Sequence, residues 1–305
     1  MGSQRPSQIV RQPTEGGRAA TPASAPVSRT VGSRRRSREQ AVGGQYETAG
    51  AASEYAAAYE GLGPTARYNH SRIHVVDEAL RGRHGDLLDV GCGPGILVRH
   101  LVETRPTDFR ITASDRSQAM IDAVASRLAA GRHEADLRVA DIEDMAFDDN
   151  SFDVIVAMGV LEYVDCHSAL REISRLVRPG GSVVVTMLNP ASPYRLFEWC
   201  VYWPARRILG RIERLVGVPA HRRHGARYSG IRAIRRGRLC RMMREAGLSP
   251  QEVVAYDVTP LIPPFDRAVR RWARQWRSDP ETTVARSGPR RWMGTGYLVI
   301  ARRSQ

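Results

Sequence analysis

The residues best suited to chemistry lie at three places in the first half of the chain. The run Asp89-Val-Gly-Cys-Gly-Pro-Gly95 sets a carboxylate two residues ahead of three alternating glycines. Gly91, Gly93 and Gly95 remove side chains where a ligand must approach backbone, and a helix beginning after them offers free N–H groups. Asp115 lies twenty residues beyond Gly95. An acid so placed, at the end of a second strand, accepts hydrogen bonds from ribose hydroxyls. Asp141 and Ile142 close a third strand and can flank an adenine. Glycine clusters also serve pyrophosphate cofactors, but the spacing here is GxGxG, with Ile96 where GxGxxG needs Gly or Ala. The Asp89 carboxylate would repel a pyrophosphate and suits a ligand amino group.

The elements that must position these residues can be read from hydrophobic periodicity and stop signals. Tyr55, Tyr59 and Leu62 share helical spacing, and Ile73, Val76 and Leu80 mark a second helix. A buried strand then leads into the glycine turn, and a helix begins near Pro94 and runs over Ile96–Thr104 to a stop before Pro106. Strand Phe109–Ser114 ends at Asp115. A helix over Ser117–Ala130 takes Ser117 as its N-cap and Gly131 as its stop. Strands at Leu137–Ala140 and Phe152–Ala157 follow, then a helix over Ser168–Val177 that Pro179-Gly180-Gly181 terminates, and strand Ser182–Leu188. A helix over Ile231–Ala246 and strands at Glu252–Tyr256 and Tyr297–Ala301 complete about seven strands. Apolar strands that alternate with helices predict an α/β fold, a parallel sheet covered on both faces. Ligands of such sheets bind at the carboxyl ends of the strands.

Taken in order, Leu87–Gly95, Ala113-Ser-Asp115-Arg-Ser117-Gln-Ala-Met120, Asp141-Ile-Glu143, Phe152–Val156, Leu161-Glu-Tyr163-Val164 and Leu176-Val-Arg-Pro179-Gly-Gly181 resemble the class I S-adenosylmethionine-dependent methyltransferases, in their UbiE/UbiG-like small-molecule branch. The resemblance covers about residues 46–188 and 231–302. It implies a Rossmann-like seven-stranded sheet, mostly parallel with an antiparallel last strand, and S-adenosylmethionine as cofactor. It further implies that Asp89 and Gly91, with Gly93 and Gly95 in the same turn, hold the methionine moiety and that Asp115 binds the ribose. Arg116, Met120, Asp141 and Ile142 would surround the adenine, while Met158 and Tyr163 close the pocket beside the sulfonium. Tyr55, Tyr59 and Arg67 resemble lid residues that fold over the cofactor carboxylate. Plain core packing is an equal reading for Met120, Tyr55 and Tyr59.

Methyl transfer from a sulfonium needs an in-line nucleophile more than an acid–base team, and positioning alone can lower the barrier by roughly 7–11 kcal/mol. A hydroxyl acceptor gains further from a base. The weak catalytic candidates are Tyr163, His167 and His224, with His221 beside the last; Tyr163 stands where many relatives carry His. Glu162 either binds substrate or caps a loop. No spacing suggests a metal site, and the four cysteines form no CxxC pair, so neither a zinc cluster nor a disulfide framework is expected.

Charge divides the chain. The net charge is +14, and all 46 basic residues are arginine, a mark of coding bias rather than mechanism. Residues 1–45, rich in Arg, Ser and Pro, read as a disordered tail. The core over 46–188 carries 14 Arg against 22 acids, whereas 189–305 carries 24 Arg against 8 acids. The lid insert, 189–230, opens with Tyr194, Phe197, Trp199, Tyr202 and Trp203. It continues with Ile208, Leu209, Ile212, Leu215 and Val216 on one helical face, flanked by Arg206, Arg207, Arg211 and Arg214. A second basic amphipathic stretch spans about 264–277, with Phe265, Val269, Trp272 and Trp276 on one face. Three readings fit: a lid over a hydrophobic acceptor pocket, docking on a membrane surface, or capture of an acidic carrier protein. Nucleic acid is a poorer fit, since Asn189-Pro190-Ala-Ser-Pro193-Tyr194 follows the fifth strand, the wrong one for a base-methylation motif. The expectation is a cytoplasmic enzyme, with peripheral membrane attachment as the alternative. It would methylate a hydrophobic small molecule in secondary metabolism, at oxygen first and at carbon or nitrogen next. A noncatalytic adenosyl-ligand binding subunit is the reading from another class.

Overall fold

The computed structural model describes residues 63–219, 232–259 and 275–304. Helix α1 (Pro64–Leu80) precedes β1 (Gly85–Val90), α2 (Ile96–Thr104), β2 (Phe109–Asp115), α3 (Gln118–Gly131), β3 (Asp136–Val139), β4 (Phe152–Ala157), α4 (Cys166–Leu176) and β5 (Val177–Leu188). Then come α5 (Pro193–Phe197), a π-helical turn (Glu198–Tyr202), α6 (Trp203–Leu215), α7 (Arg236–Glu245), β6 (Leu248–Val258) and β7 (Gly294–Arg303).

The seven strands form one sheet in the order β3-β2-β1-β4-β5-β7-β6. β1 pairs in parallel with β2 and β4, and β5 with β4, whereas β7 runs antiparallel to both β5 and β6. Strand alternation builds a core on each face. Leu87 packs with Val76, Leu97 and Val124 under α1, α2 and α3. Its neighbour Leu88 packs with Leu170, Ile173, Leu239 and Met243 under α4 and α7. Successive side chains of a strand point to opposite faces, so a strand covered on both reads as an unbroken apolar run. The chain turns outward in one direction from β1 to β3 and in the other from β4 onward, which leaves a crevice at the carboxyl ends of β1 and β4.

The sequence-derived elements recur with shifted ends. α4 begins at Cys166 because Asp165 caps it, its carboxylate accepting from the His167 and Ser168 N–H groups. The Pro179-Gly180-Gly181 run lies inside β5, where the register with β4 shifts, rather than in a loop before it. α3 ends one residue later than expected, and the left-handed residue after it is Arg132 (φ 55°) rather than Gly131. α7 starts at Arg236, since 232–235 are irregular. The 1–45 tail, Tyr55, Tyr59, His221, His224 and most of 264–277 lie outside the described residues. Trp276, the last apolar residue of that stretch, is buried and its ring lies 5.7 Å from that of His70 on α1.

Helix α1 is clamped to the far side of the sheet by buried polar contacts. Arg67 Nε donates to Asp257 Oδ1 at 2.5 Å, and Thr295 Oγ1 donates to the other carboxylate oxygen. Tyr68 and Tyr256 hydroxyls are 2.9 Å apart, and Ser71 meets Thr283 at 2.6 Å. Removing one partner of a buried ion pair leaves an uncompensated charge and costs about 3–5 kcal/mol. Arg67→Met is therefore expected to lower the unfolding free energy by about that amount in urea titrations; a loss under about 1 kcal/mol would show that α1 is held by its apolar face alone.

Candidate active site

The glycine turn after β1 is built for close approach. Gly91 (φ 66°) and Gly93 (φ 53°) both sit in the left-handed region. A Cβ on Gly91 would lie 2.6 Å from Val160, whereas a Cβ on Gly93 would meet nothing within 4 Å. Of these two only Gly93 thus borders open space, and the first turn of α2 begins three residues beyond it, after Gly95 as a left-handed N-cap. Asp115, at the end of β2, is anchored from below: the Gly93 N–H donates to its Oδ2 and the Ser117 N–H to its Oδ1, each at 2.9 Å. Burial raises its carboxyl above the usual range against the pull of these two N–H groups.

Asp89 is the site's least satisfied residue. It is 1% exposed, and neither carboxylate oxygen has a hydrogen-bond partner. Burial first, then repulsion from Asp115, pushes its pKa up to about 7, with Arg72 opposing. A buried carboxylate without donors is costly unless a ligand supplies them. A cationic amino group has the donors and the charge that this carboxylate lacks.

A second buried acid lies one strand away. Glu162, just after β4, is 3% exposed and its Oε2 has no partner. Burial raises its pKa to about 7, opposed by backbone hydrogen bonds from its own N–H and that of Leu188 and by the charges of Arg72 and Arg195. Arg72, from α1, joins the two acids. Its guanidinium lies over the turn at Gly159, where a Cβ would stand 2.3 Å from Nη1, and 5.2 Å from the Tyr68 ring centroid. Burial raises both the Tyr68 and the Tyr256 phenol, and Arg72 opposes each shift.

The remaining sequence-derived residues are placed unevenly. Ile142 and Met120 are buried, Asp141 and Arg116 exposed, and Met158 and Tyr163 half-buried beyond β4. Ser117 caps α3 through the Met120 N–H, which fixes Met120 at the helix start. Arg67, expected over a cofactor carboxylate, is instead buried in its pair with Asp257. His167 is exposed on the first turn of α4, its Nδ1 4.0 Å from Glu245 of α7. Sequence reasoning missed Arg72, Tyr68 and Tyr256. The available signal was a set of polar residues, Asn69 and Arg72, within the buried stripe of α1.

Known proteins agree with this geometry. A family model described as a methyltransferase domain matches residues 88–185. A ubiquinone biosynthesis O-methyltransferase from Nitrosospira multiformis is 28% identical over 200 residues, 65% of this chain and 77% of that protein. The ubiquinone/menaquinone biosynthesis C-methyltransferase UbiE of Geotalea daltonii is 34% identical over 117 residues, 37% of this chain and 50% of its own. Among solved structures, a possible histamine N-methyltransferase from Thermotoga maritima superposes with a TM-score of 0.50 at 17% identity, covering 77% of this chain and 89% of that one. The [4+2]-cyclase SpnF gives 0.51 at 20% identity, covering 76% and 80%; it shares the fold alone. Sheet order, glycine turn and the acids at the ends of β1 and β2 define a class I S-adenosylmethionine-dependent methyltransferase. The curated relatives it resembles are of the UbiE/UbiG type, and S-adenosylmethionine is the cofactor of the class.

The raised Asp89 carboxyl carries a signature in stability. Its folded value of about 7 lies above the ordinary 3.8, so the folded protein keeps a proton that the unfolded chain releases. That contribution is complete below the lower value and is lost as pH rises toward the upper one. Asp89→Asn is expected to reduce the fall in Tm between about pH 4 and about pH 7 in the free protein. An identical slope in the variant would remove Asp89 as its source.

Proposed function

We propose that the protein transfers a methyl group from S-adenosylmethionine to a hydroxyl oxygen of a hydrophobic, quinone-type ring in small-molecule biosynthesis. The observation that carries this reading is Glu162, a buried carboxylate with one bare oxygen at the end of β4. Two relatives whose names place them in quinone biosynthesis support the acceptor class. The C-methylating one keeps carbon as the runner-up acceptor atom.

In this reading Asp89 receives the ammonium of the methionine moiety, and Arg72 takes the carboxylate in place of Arg67. Asp115 holds the ribose hydroxyls, its carboxylate oriented by the Gly93 and Ser117 N–H groups. Ile142 and Met120 floor the adenine, with Arg116 and Asp141 at its rim. Met158 and Tyr163 stand between cofactor and acceptor. The cofactor supplies an electrophilic methyl on a sulfonium. Glu162 accepts the proton of the acceptor hydroxyl, and the Tyr68–Tyr256 hydroxyl pair and Arg72 fix its surroundings.

A base whose pKa lies near 7 gives a rate that falls as pH drops below that value. Glu162→Gln is expected to lower kcat on a catechol-type acceptor by about 10²–10⁴-fold and to abolish that acidic limb. Affinity for S-adenosylmethionine in calorimetry should stay unchanged, whereas Asp115→Ala should weaken it severely. A Glu162→Gln enzyme with full kcat would reassign the acid to packing.

Peripheral docking on an anionic membrane is a further part of the proposal, and α6 favours it. No residue of this helix is buried. Ile208, Leu209, Ile212, Leu215 and Val216 are exposed, Leu215 at 86%. Arg206, Arg207, Arg211 and Arg214 flank them with Glu213 as the single acid. An apolar stripe edged by arginine suits the lipid interface better than an acidic carrier protein, which would engage the arginines and leave the stripe wet. Flotation with phosphatidylglycerol vesicles at low salt should carry the protein, and Ile212→Glu should leave it at the bottom. No flotation, or self-association through the same stripe in light scattering, would overturn this reading.

A further inference from the structure

Beside the acid cluster lies a groove of about 880 Å³ that none of the roles above employs. Arg235, Arg236, Arg238, Arg241 and Arg291 line it, and Glu245 is the one acid among its lining residues. The first four stand on and just before the N-terminal turns of α7. That helix has no side-chain cap and no acid in its first turn, although its free N–H groups and dipole favour negative charge there. Four arginines at the positive end of a helix repel one another and the dipole, an arrangement that an incoming anion relieves. The groove is not polar throughout: Met242, Val253 and Ala255 form an apolar floor, and Trp292, 62% exposed, lies under Arg236 with the guanidinium 5.8 Å from its ring centroid.

The groove adjoins the proposed reaction site through consecutive residues. The Leu188 N–H helps hold the Glu162 carboxylate, and Asn189, next in the chain, lines the groove. The Arg232 N–H donates to the Glu162 carbonyl at 2.9 Å, and the Tyr297 hydroxyl, also in the lining, donates to the Ile234 carbonyl at 2.6 Å. Residues 232–235 thus form a strap that leads from the acid to the arginines.

We propose that this groove binds the anionic end of the acceptor, a phosphate or carboxylate carried on an apolar body, with the arginines on the charge and the floor and Trp292 on the body. Guanidinium groups pair with both anions through two parallel hydrogen bonds, and the volume falls in the range of pockets that enclose a small molecule of about 300–1,000 Å³. The inference rests on the methyltransferase reading for the word acceptor, but the binding itself does not need the cofactor.

The test is calorimetry on the full chain with decyl phosphate and decanoate below their micelle concentrations, against decanol and inorganic phosphate. Both amphiphilic anions should bind at least tenfold more tightly than decanol or phosphate alone. The doubly substituted Arg236→Ala/Arg241→Ala protein, changed only at exposed positions, should lose at least tenfold in that affinity and keep its affinity for S-adenosylmethionine. Equal binding by the variant, equal binding of decanol, or binding of phosphatidylglycerol vesicles without binding of the monomeric anions would overturn the proposal. Failure to bind S-adenosylmethionine would instead count against the methyltransferase reading, so the two failures are distinguishable.

Discussion

Two carboxylates held out of water, Asp89 and Glu162, govern the arrangement of everything around them. Each carries at least one oxygen without a donor, and burial pushes each up to about 7. Such groups are tolerated only where the rest of the fold is strong enough to hold them and where a cation or ligand answers them. The sheet meets the first condition through two apolar cores, one per face. Arg72 meets part of the second, since its charge opposes the shift of both acids. The cofactor and acceptor answer the remainder in the proposed reaction.

That requirement explains why α1 matters more than its place at the edge of the described chain suggests. It is the element that brings Arg72 and Tyr68 to the carboxyl edge of the sheet, and it must not slide. The Arg67–Asp257 pair, the Tyr68–Tyr256 contact and the Ser71–Thr283 contact fix it to β6 and the segment before β7. Arg67, which the family resemblance placed among lid residues, is buried in a pair with Asp257 five positions before Arg72 on the same helix. Antiparallel β7 has a related part: it sets β6 beside it, so that Tyr256 and Asp257 meet α1 at the same edge as Asp89 and Glu162.

The acidic core and the basic C-terminal third differ in the ligand charges they suit. Acids at the ends of β1 and β2 suit the ammonium and hydroxyls of the cofactor, and arginines around α7 suit an anion. The split of net charge along the chain was already visible in composition. Its meaning was not, because composition does not say that the arginines at 235–241 crowd one helix end beside a cavity, nor that the stripe of α6 is left open.

Much of the fold was legible because it depends on local rules. Apolar runs such as Leu87-Leu88 and Val154–Val156, the GxGxG turn and the capping residue Ser117 each act within a few residues of themselves. From them the strand count, the parallel core and the candidate acids Asp89 and Asp115 followed, whereas the cofactor came from the resemblance of the whole motif series. Boundaries slipped where two local signals competed, as at Pro179-Gly180-Gly181, which reads as a terminator yet lies within β5 because the sheet absorbs it as a register shift. Only the tertiary structure decided which partner each charge meets. Arg67 and Arg72 lie five positions apart on one helix and look alike in sequence; their fates differ because Asp257 and Gly159, far along the chain, happen to face them. Glu162 became a candidate base for the same reason. Desolvation depends on what surrounds a side chain in three dimensions, and no spacing in the sequence records that.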